Sequence, residues 1–224
     1  MPLSNVVFFD GVDDYVNCGH DVSLDLTVNL TLCARIKKYR SHSFFHNIVG
    51  KNTGLADATT VYMLYTQNVT GEVKFSINNG IGGALINSSG YNLKLNQWTY
   101  VVGVLSAGFL KVYIDGNKTL TDIVRTKNPQ SQPNWDVMAG GNSFWPSSTP
   151  CYMSEAQIYN RDLSDEEVLY NWFHPSNPKR RGLVLNLTQD SIYGPQWVDL
   201  SGNANHGTYV GGAVPVTANR LAGR

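Results

Sequence analysis

Apolar residues recur at every second position along much of this chain. Between 98 and 105, Trp98, Tyr100, Val102 and Val104 share one face by the two-residue period of an extended strand, with Val101 and Leu105 on the other. Ser106-Ala107-Gly108 leads into a second run, Phe109-Leu110-Lys111-Val112-Tyr113-Ile114, which closes on Asp115-Gly116. The pattern predicts a β-hairpin followed by a tight turn, where glycine tolerates positive φ. Both faces of the first strand carry apolar residues. Both are therefore expected to be covered, as for a strand inside a stack of sheets.

The same period predicts strands elsewhere. Residues 28–37 alternate, with Val28, Leu30, Leu32, Ala34 and Ile36 facing the core and Asn29, Thr31, Cys33, Arg35 and Lys37 on a wetter face. Shorter runs fall at 6–9, 48–51, 61–66, 73–77 and 84–86, with Gly71 and Asn78-Asn79-Gly80 as punctuation. Residues 127–151, holding Pro129, Pro133, Pro146 and Pro150, read as a large ordered loop around one short strand at 137–139. One helix is expected near 165–173. Ser164 and Glu167 form a capping box, Leu163 staples onto Val168, and His174-Pro175 stops it, leaving Val168, Leu169, Trp172 and Phe173 as the apolar face. Residues 177–181 read as a linker before a last segment, 182–216. These elements predict an all-β fold, a two-sheet antiparallel jelly-roll sandwich.

Composition narrows the partners. The 224 residues, 42% hydrophobic and 11% aromatic with 21 glycines, fit one large β domain spanning 1–224. Seventeen basic residues against seventeen acidic leave no field for nucleic acid or an anionic membrane, and no apolar run approaches the ~18 residues of a membrane span. The first residues carry no signal-like pattern, so no secretion address is expected in the chain as given. Cys18, Cys33 and Cys151 are odd in number and lack CxxC spacing. Free, buried thiols are expected, with a Cys18–Cys33 bridge as the alternative. Asn29, Asn68, Asn87, Asn117 and Asn186 each head an N-x-Ser/Thr sequon, acceptors for glycans if the protein is exported.

Four ordered segments carry a family resemblance: Phe9-Asp10-Gly11-Val12-Asp13-Asp14-Tyr15-Val16, the run from Trp98 to Val104, Leu110-Lys111-Val112-Tyr113-Ile114-Asp115-Gly116, and Gln157-Ile158-Tyr159-Asn160-Arg161-Asp162-Leu163-Ser164-Asp165-Glu166-Glu167. Together they resemble the laminin-G-like jelly roll of the concanavalin-A-like lectin and glucanase superfamily. That resemblance implies two antiparallel sheets, a binding surface on the concave one, and a calcium ion at one edge. The chain departs from the family pattern at Arg35, where a tryptophan is common, and at Ser154, where an acid is usual, with Glu155 beside it. Leu200-Ser201-Gly202-Asn203-Ala204-Asn205-His206-Gly207-Thr208 and the strand before it stand after the helix. In similar proteins such a run precedes the Phe-Asp-Gly motif. A circular permutation is the simplest account, with 182–216 completing the sandwich in the same chain; exchange with a neighbouring subunit or a truncated second repeat are the alternatives.

Candidate chemistry is sparse. No paired carboxylates suggest glycoside hydrolysis, the alternating Glu-x-Asp-x-x-Glu strand of the fold's glucanases is missing, and the five histidines have no metal spacing. The histidines are expected in loops or at the surface, with His206 structural. Asp13 and Asp14 with the Gly11 carbonyl offer hard oxygens to calcium, against the alternative of a turn in which Asp side chains bond local amides. Trp145 and Tyr152 are the candidate ligand-binding aromatics, to stack on a sugar or a protein partner; Trp135 is assigned to the core. The expected function is a non-enzymatic structural or attachment module, as in a virion (capsid decoration, minor capsid or fibre) whose modules in phage and archaeal virus proteins it resembles. Its expected place is a virion or an extracellular surface, and its partners are other virion or surface proteins, glycans, and further copies of itself. The alternatives are a secreted carbohydrate-binding or adhesion module and, third, a glycosidase or polysaccharide lyase.

Overall fold

A computed structural model describes residues 5–41, 45–53, 60–67, 69–79, 83–143 and 149–217. In chain order the strands are β1 (Val6–Phe9), β2 (Tyr15–Asn17), β3 (Leu30–Lys38), β4 (His46–Asn52), β5 (Thr60–Gln67), β6 (Glu72–Ile77), β7 (Leu85–Asn92), β8 (Trp98–Leu105), β9 (Phe109–Ile114) and β10 (Asn117–Lys118). They continue as β11 (Ile123–Val124), β12 (Val137–Ala139), β13 (Cys151–Tyr159), β14 (Leu183–Thr188), β15 (Ile192–Tyr193), β16 (Gln196–Trp197), β17 (Gly207–Val210) and β18 (Val214–Val216), with helix α1 (Asp165–Phe173) between β13 and β14. All strand pairs are antiparallel and form two sheets. The first runs β10-β9-β8-β3-β13-β1-β18, with β11 on β9 and β14 on β13; the second runs β15-β16-β17-β2-β12-β4-β5-β6-β7.

The hairpin forms as its pattern dictates: Val101 to Leu105 of β8 pair with Ile114 to Leu110 of β9. Asp115 and Gly116, at φ 48° and 79°, make the tight turn into β10. The inward side chains Leu32, Ala34, Ile36, Val101, Val112 and Ile158 of the first sheet meet Val49, Leu64, Val73 and Phe75 of the second in one core. Gly103 sits where Phe75 crosses from the facing sheet. A Cβ there would lie 2.6 Å from the Phe75 ring.

The outer face of β8 is covered by a helix rather than by a further sheet. Tyr100, Val102 and Val104 pack with Cys33, Tyr113, Tyr159, Leu163 and Val168 beneath α1. The predicted wet face of β3 is thus half wrong: Thr31 and Cys33 are buried, and Val28 is exposed because the strand starts only at Leu30. The capping box of α1 is present, but Leu169 and Phe173 face solvent at 40% and 63% exposure. In their place Asn171 turns inward, donating to the Tyr159 hydroxyl at 2.9 Å and accepting from the Lys179 amide.

The final segment is woven into both sheets: β14 pairs with β13, β17 with β2 and β18 with β1. The far edge of β14 is closed by the loop that follows β16. The Asp199 carboxylate accepts from the amides of Asn186, Ser201 and Asn205, and the Val184 carbonyl accepts from Ser201, Asn203 and Asn205 side chains. An edge strand that would otherwise invite pairing is occupied by side chains.

The three cysteines are free and buried. Cys18 packs in the inter-sheet core and Cys33 beneath α1, on opposite faces of the first sheet, so the alternative bridge is ruled out. Burial pushes the Cys33 thiol up to about 12. Two sequons are closed by folding. Asn87 donates to the carbonyls of Leu110 and Thr121, and Asn186 is buried in β14; Asn68 lies outside the described residues. His46, expected at the surface, is buried in β4, and His42 lies outside the described residues. His20, His174 and His206 are exposed, and Trp135 packs against the core.

Candidate functional site: an aromatic row beside a carboxylate turn

Register on the outer face of the first sheet brings Tyr152 into a row. Phe8 lies opposite both Val214 of β18 and Tyr152 of β13, Tyr152 opposite Lys37 of β3, and Lys37 opposite Trp98 of β8. Directly opposed residues sit one strand apart, so the five-strand row spans roughly 19 Å at ~4.8 Å per strand. The Phe8 ring is 5.3 Å from Tyr152 and 5.5 Å from Tyr39, which stacks on it from the end of β3. Tyr39 and Tyr152 are 5.5 Å apart, and Lys37 Nζ stands 6.0 Å over Tyr152. All five residues of Phe8, Lys37, Tyr39, Trp98 and Tyr152 are half-buried, with part of each surface open to solvent. Of the two aromatics expected to bind ligand, Tyr152 is here; Trp145 lies outside the described residues. Phe8, Tyr39 and Trp98 come from three other segments, and only strand register, invisible in the sequence, unites them.

The acidic turn after β1 abuts this row. The Tyr39 hydroxyl donates to the carbonyls of Phe9 and Asp10 at 3.2 and 3.0 Å, and Arg40 Nη2 donates to the Asp10 carbonyl at 2.7 Å. Carboxylate oxygens of Asp10, Asp13 and Asp14 lie within 4.8 Å of one another. Asp10 thus joins the two aspartates singled out from sequence, while Gly11 is buried with φ 86° against Pro150. Asp14 is buried and accepts from the amides of Asp10 and Gly212, which ties the turn to the entry of β18. Burial pushes its carboxyl above the usual range, against the pull of those amides, and the Asp10 charge adds to the rise. Three hard oxygens at this spacing fit the 2.3–2.6 Å ligand distances of calcium, and a cation would relieve the buried negative charge. Asp10 Oδ1 also accepts from the Val12 amide. The turn therefore has local partners of its own, as the alternative reading expects.

Of the two positions that depart from the family pattern, Arg35 pairs with Glu155, the neighbour of Ser154. A register shift between Met153 and Glu155 turns Glu155 outward under α1, where Arg35 Nε meets it at 3.2 Å and Arg35 Nη2 holds the Trp172 carbonyl at 2.9 Å. Burial raises the Glu155 carboxyl to about 7, and Arg35 opposes the rise. A carboxyl raised above its ordinary 4.5 holds its proton more tightly when folded. It therefore weakens the fold progressively as pH climbs from about 4.5 to about 7, and by a constant amount above that. Glu155→Gln is expected to melt higher than the unaltered chain at pH 8 and to converge with it near pH 4.5. Parallel melting curves across that range would contradict the assignment.

The sequence from 10 to 169 matches the family profile of the concanavalin A-like lectin/glucanases superfamily. No curated protein sequence matches the chain. Among solved structures, a Bacteroides ovatus protein assigned provisionally to carbohydrate binding superposes with TM-score 0.72 at 17% identity, over 97% of this chain and 60% of that one. The chain thus spans about 60% of that protein's length. Domain 4 of the extracellular arabinanase AbnA of Geobacillus stearothermophilus, solved with arabinotriose, gives TM-score 0.57 at 14% identity over 74% of this chain and 75% of that one. The heptameric SAP-like pentraxin of Limulus polyphemus gives 0.58 at 14% over 96% and 94%. At these identities the structural likeness establishes the fold. Since the matched segment covers most of the chain and carries both the acidic turn and the hairpin, the chain belongs to the concanavalin A-like lectin/glucanase superfamily.

Proposed function

We propose that this chain is a non-catalytic glycan-binding module, and that the row Phe8, Tyr152, Lys37 and Trp98, with Tyr39 behind it, is where the glycan lies. The observation that carries this reading is the row itself: three half-buried rings and a lysine from four strands in register on one sheet face, with the Tyr39 ring stacked behind Phe8. Sugar rings present apolar C–H faces that stack on aromatic planes, and the flanking Lys37 supplies a donor to ring hydroxyls. Two of the structural neighbours are described in terms of carbohydrate, which favours this reading. The particle-bound role expected from sequence gains no comparable support, and the glycan reading displaces it. The row itself, Val214, Phe8, Tyr152, Lys37 and Trp98, contains no carboxylate, which favours binding over hydrolysis.

We further propose that Asp10, Asp13 and Asp14 take calcium, which steadies the Asp10 carbonyl and, through it, the Tyr39 ring. At one hundred times its Kd a ligand adds about 2.7 kcal/mol, or roughly 5–10 °C for a chain of this size. Millimolar calcium is expected to raise the melting temperature by that order relative to EDTA, and Asp13→Asn to remove the difference. Equal melting in calcium and EDTA would leave the turn held by backbone amides alone. For the module as a whole, a glycan array probed with and without calcium is expected to return a restricted set of oligosaccharides. An array that is blank in both conditions would overturn the assignment.

A further inference from the structure

A second groove lies away from the aromatic row, at the junction of the final segment with β2. It has a volume of about 630 Å³, and its lining includes Asn17, His20, Asp136, Gln196, His206 and Thr208, together with Ala204. Half of it comes from residues 17–21 and 136, half from residues 196–210, and the pairing of β17 with β2 joins the two halves. Ala204 adopts φ 60°, a left-handed backbone that side chains avoid. The volume falls in the range of small-ligand sites.

The polar groups are fixed in direction. Asp136 is held on both oxygens, by Asn17 Nδ2 at 2.8 Å and His20 Nδ1 at 2.7 Å. With its Nδ1 proton committed to that carboxylate, neutral His20 is left with Nε2 as an acceptor. His206 has the opposite tautomer. Its Nδ1 accepts from the Asp199 amide at 3.1 Å, so the proton sits on Nε2, which remains a donor. The groove therefore offers one imidazole donor, one imidazole acceptor, the Gln196 amide and the Thr208 hydroxyl. A sugar hydroxyl both donates and accepts, so such a set matches a run of vicinal hydroxyls. No lysine or arginine lines the groove, whereas Asp21 and Asp136 do, so a carboxylated, sulfated or sialylated sugar would meet like charge.

We propose that this groove is a second carbohydrate subsite, selective for neutral sugars, and that it exists only when the final segment is docked. The proposal rests on the glycan-binding reading and adds to it a location, a ligand class and a dependence on the C-terminal strands. It is tested by ¹H–¹⁵N NMR of the full chain titrated with millimolar arabinotriose, maltotriose and cellotriose, with 3′-sialyllactose as the anionic comparator. The expected result is that at least one neutral trisaccharide shifts amides of residues 17–21 and 196–208, that sialyllactose does not, and that His20→Ala and Gln196→Ala each weaken the response about tenfold. Both replaced side chains are exposed, so the fold is expected to survive, and the unaltered remainder of each spectrum verifies it. Shifts confined to residues around Phe8, Tyr39 and Tyr152 would overturn the groove while leaving the module reading intact. Stronger groove shifts with sialyllactose would overturn the ligand class. No shifts with any of the four sugars would overturn the groove, and a blank glycan array alongside them would overturn the module reading as well.

Discussion

Truncation after Asn177 is expected to yield insoluble or molten protein. The cut removes β14 to β18, and with them Leu185, Leu187 and Trp197, which are fully buried in the inter-sheet core, and Leu183, which is buried beneath α1. Burying a large apolar side chain is worth roughly 1.5–3 kcal/mol, so four of them together rival the ~5–15 kcal/mol stability of a whole domain. Two further losses come from the backbone. The half of β13 from Glu155 to Tyr159 loses β14, one of its two partner strands, and β1 and β2 each lose a neighbour. Circular dichroism melting decides the point: loss of a cooperative transition is expected, and a truncated chain melting within a few degrees of the full one would make the segment an appendage. A chain rejoined so that residues 182–216 precede residue 5 is expected to regain the transition, as the proposed permutation requires.

Lys38→Met is expected to stabilise the protein. Lys38 is the last inward residue of β3, 1% exposed, directly opposite Cys151. Its Nζ is buried and has no hydrogen-bond partner. Burial depresses the ammonium pKa, so the folded chain holds this proton less tightly than the unfolded one. The resulting penalty is present in full at neutral and acid pH and fades as pH rises towards the unfolded value of 10.5. Methionine fills a similar volume without the charge, and removing an unpaired buried donor returns about 1–3 kcal/mol. For a chain of this size that is roughly 2–10 °C of melting temperature at pH 7. The gain is expected to shrink above pH 10. A variant that melts lower would show that the ammonium is held by groups such as buried water.

What sequence made legible follows from the range of each interaction. The hairpin, the capping box of α1 and the turn at Asp115-Gly116 are decided by residues a few positions apart, and all three are where local pattern puts them. Alternation in β3 reports that one face is more apolar without reporting what covers the other. Thr31 and Cys33 are small enough to fit under α1, and Thr31 Oγ1 donates to the Arg161 carbonyl there. His46 looks like a loop residue in sequence and becomes a buried strand residue only once β5 pairs beside it. The site was the least legible part. Tyr152 stood out for its place beside a proline-rich loop, but Phe8, Lys37 and Trp98 join it only through the registers of β1, β13, β3 and β8. A two-residue period fixes which face a residue takes; it does not fix which residue lies opposite. Similarly, nothing local marks Asp10 as a partner of Asp13 and Asp14; the β1–β2 turn folds all three together.

The claim that the aromatic row is the glycan site is tested most directly by calorimetry. The oligosaccharide bound best on the array would be titrated into the unaltered chain, Tyr152→Ala and Trp98→Ala. The rings stand two strands apart in one row, so a single extended ligand is expected to touch both. Losing the burial of one ring against a sugar costs on the order of 1.5 kcal/mol, or about tenfold in affinity. Each variant is therefore expected to bind about tenfold more weakly, with an unchanged circular dichroism spectrum. Affinities equal to that of the unaltered chain in both variants would contradict the account.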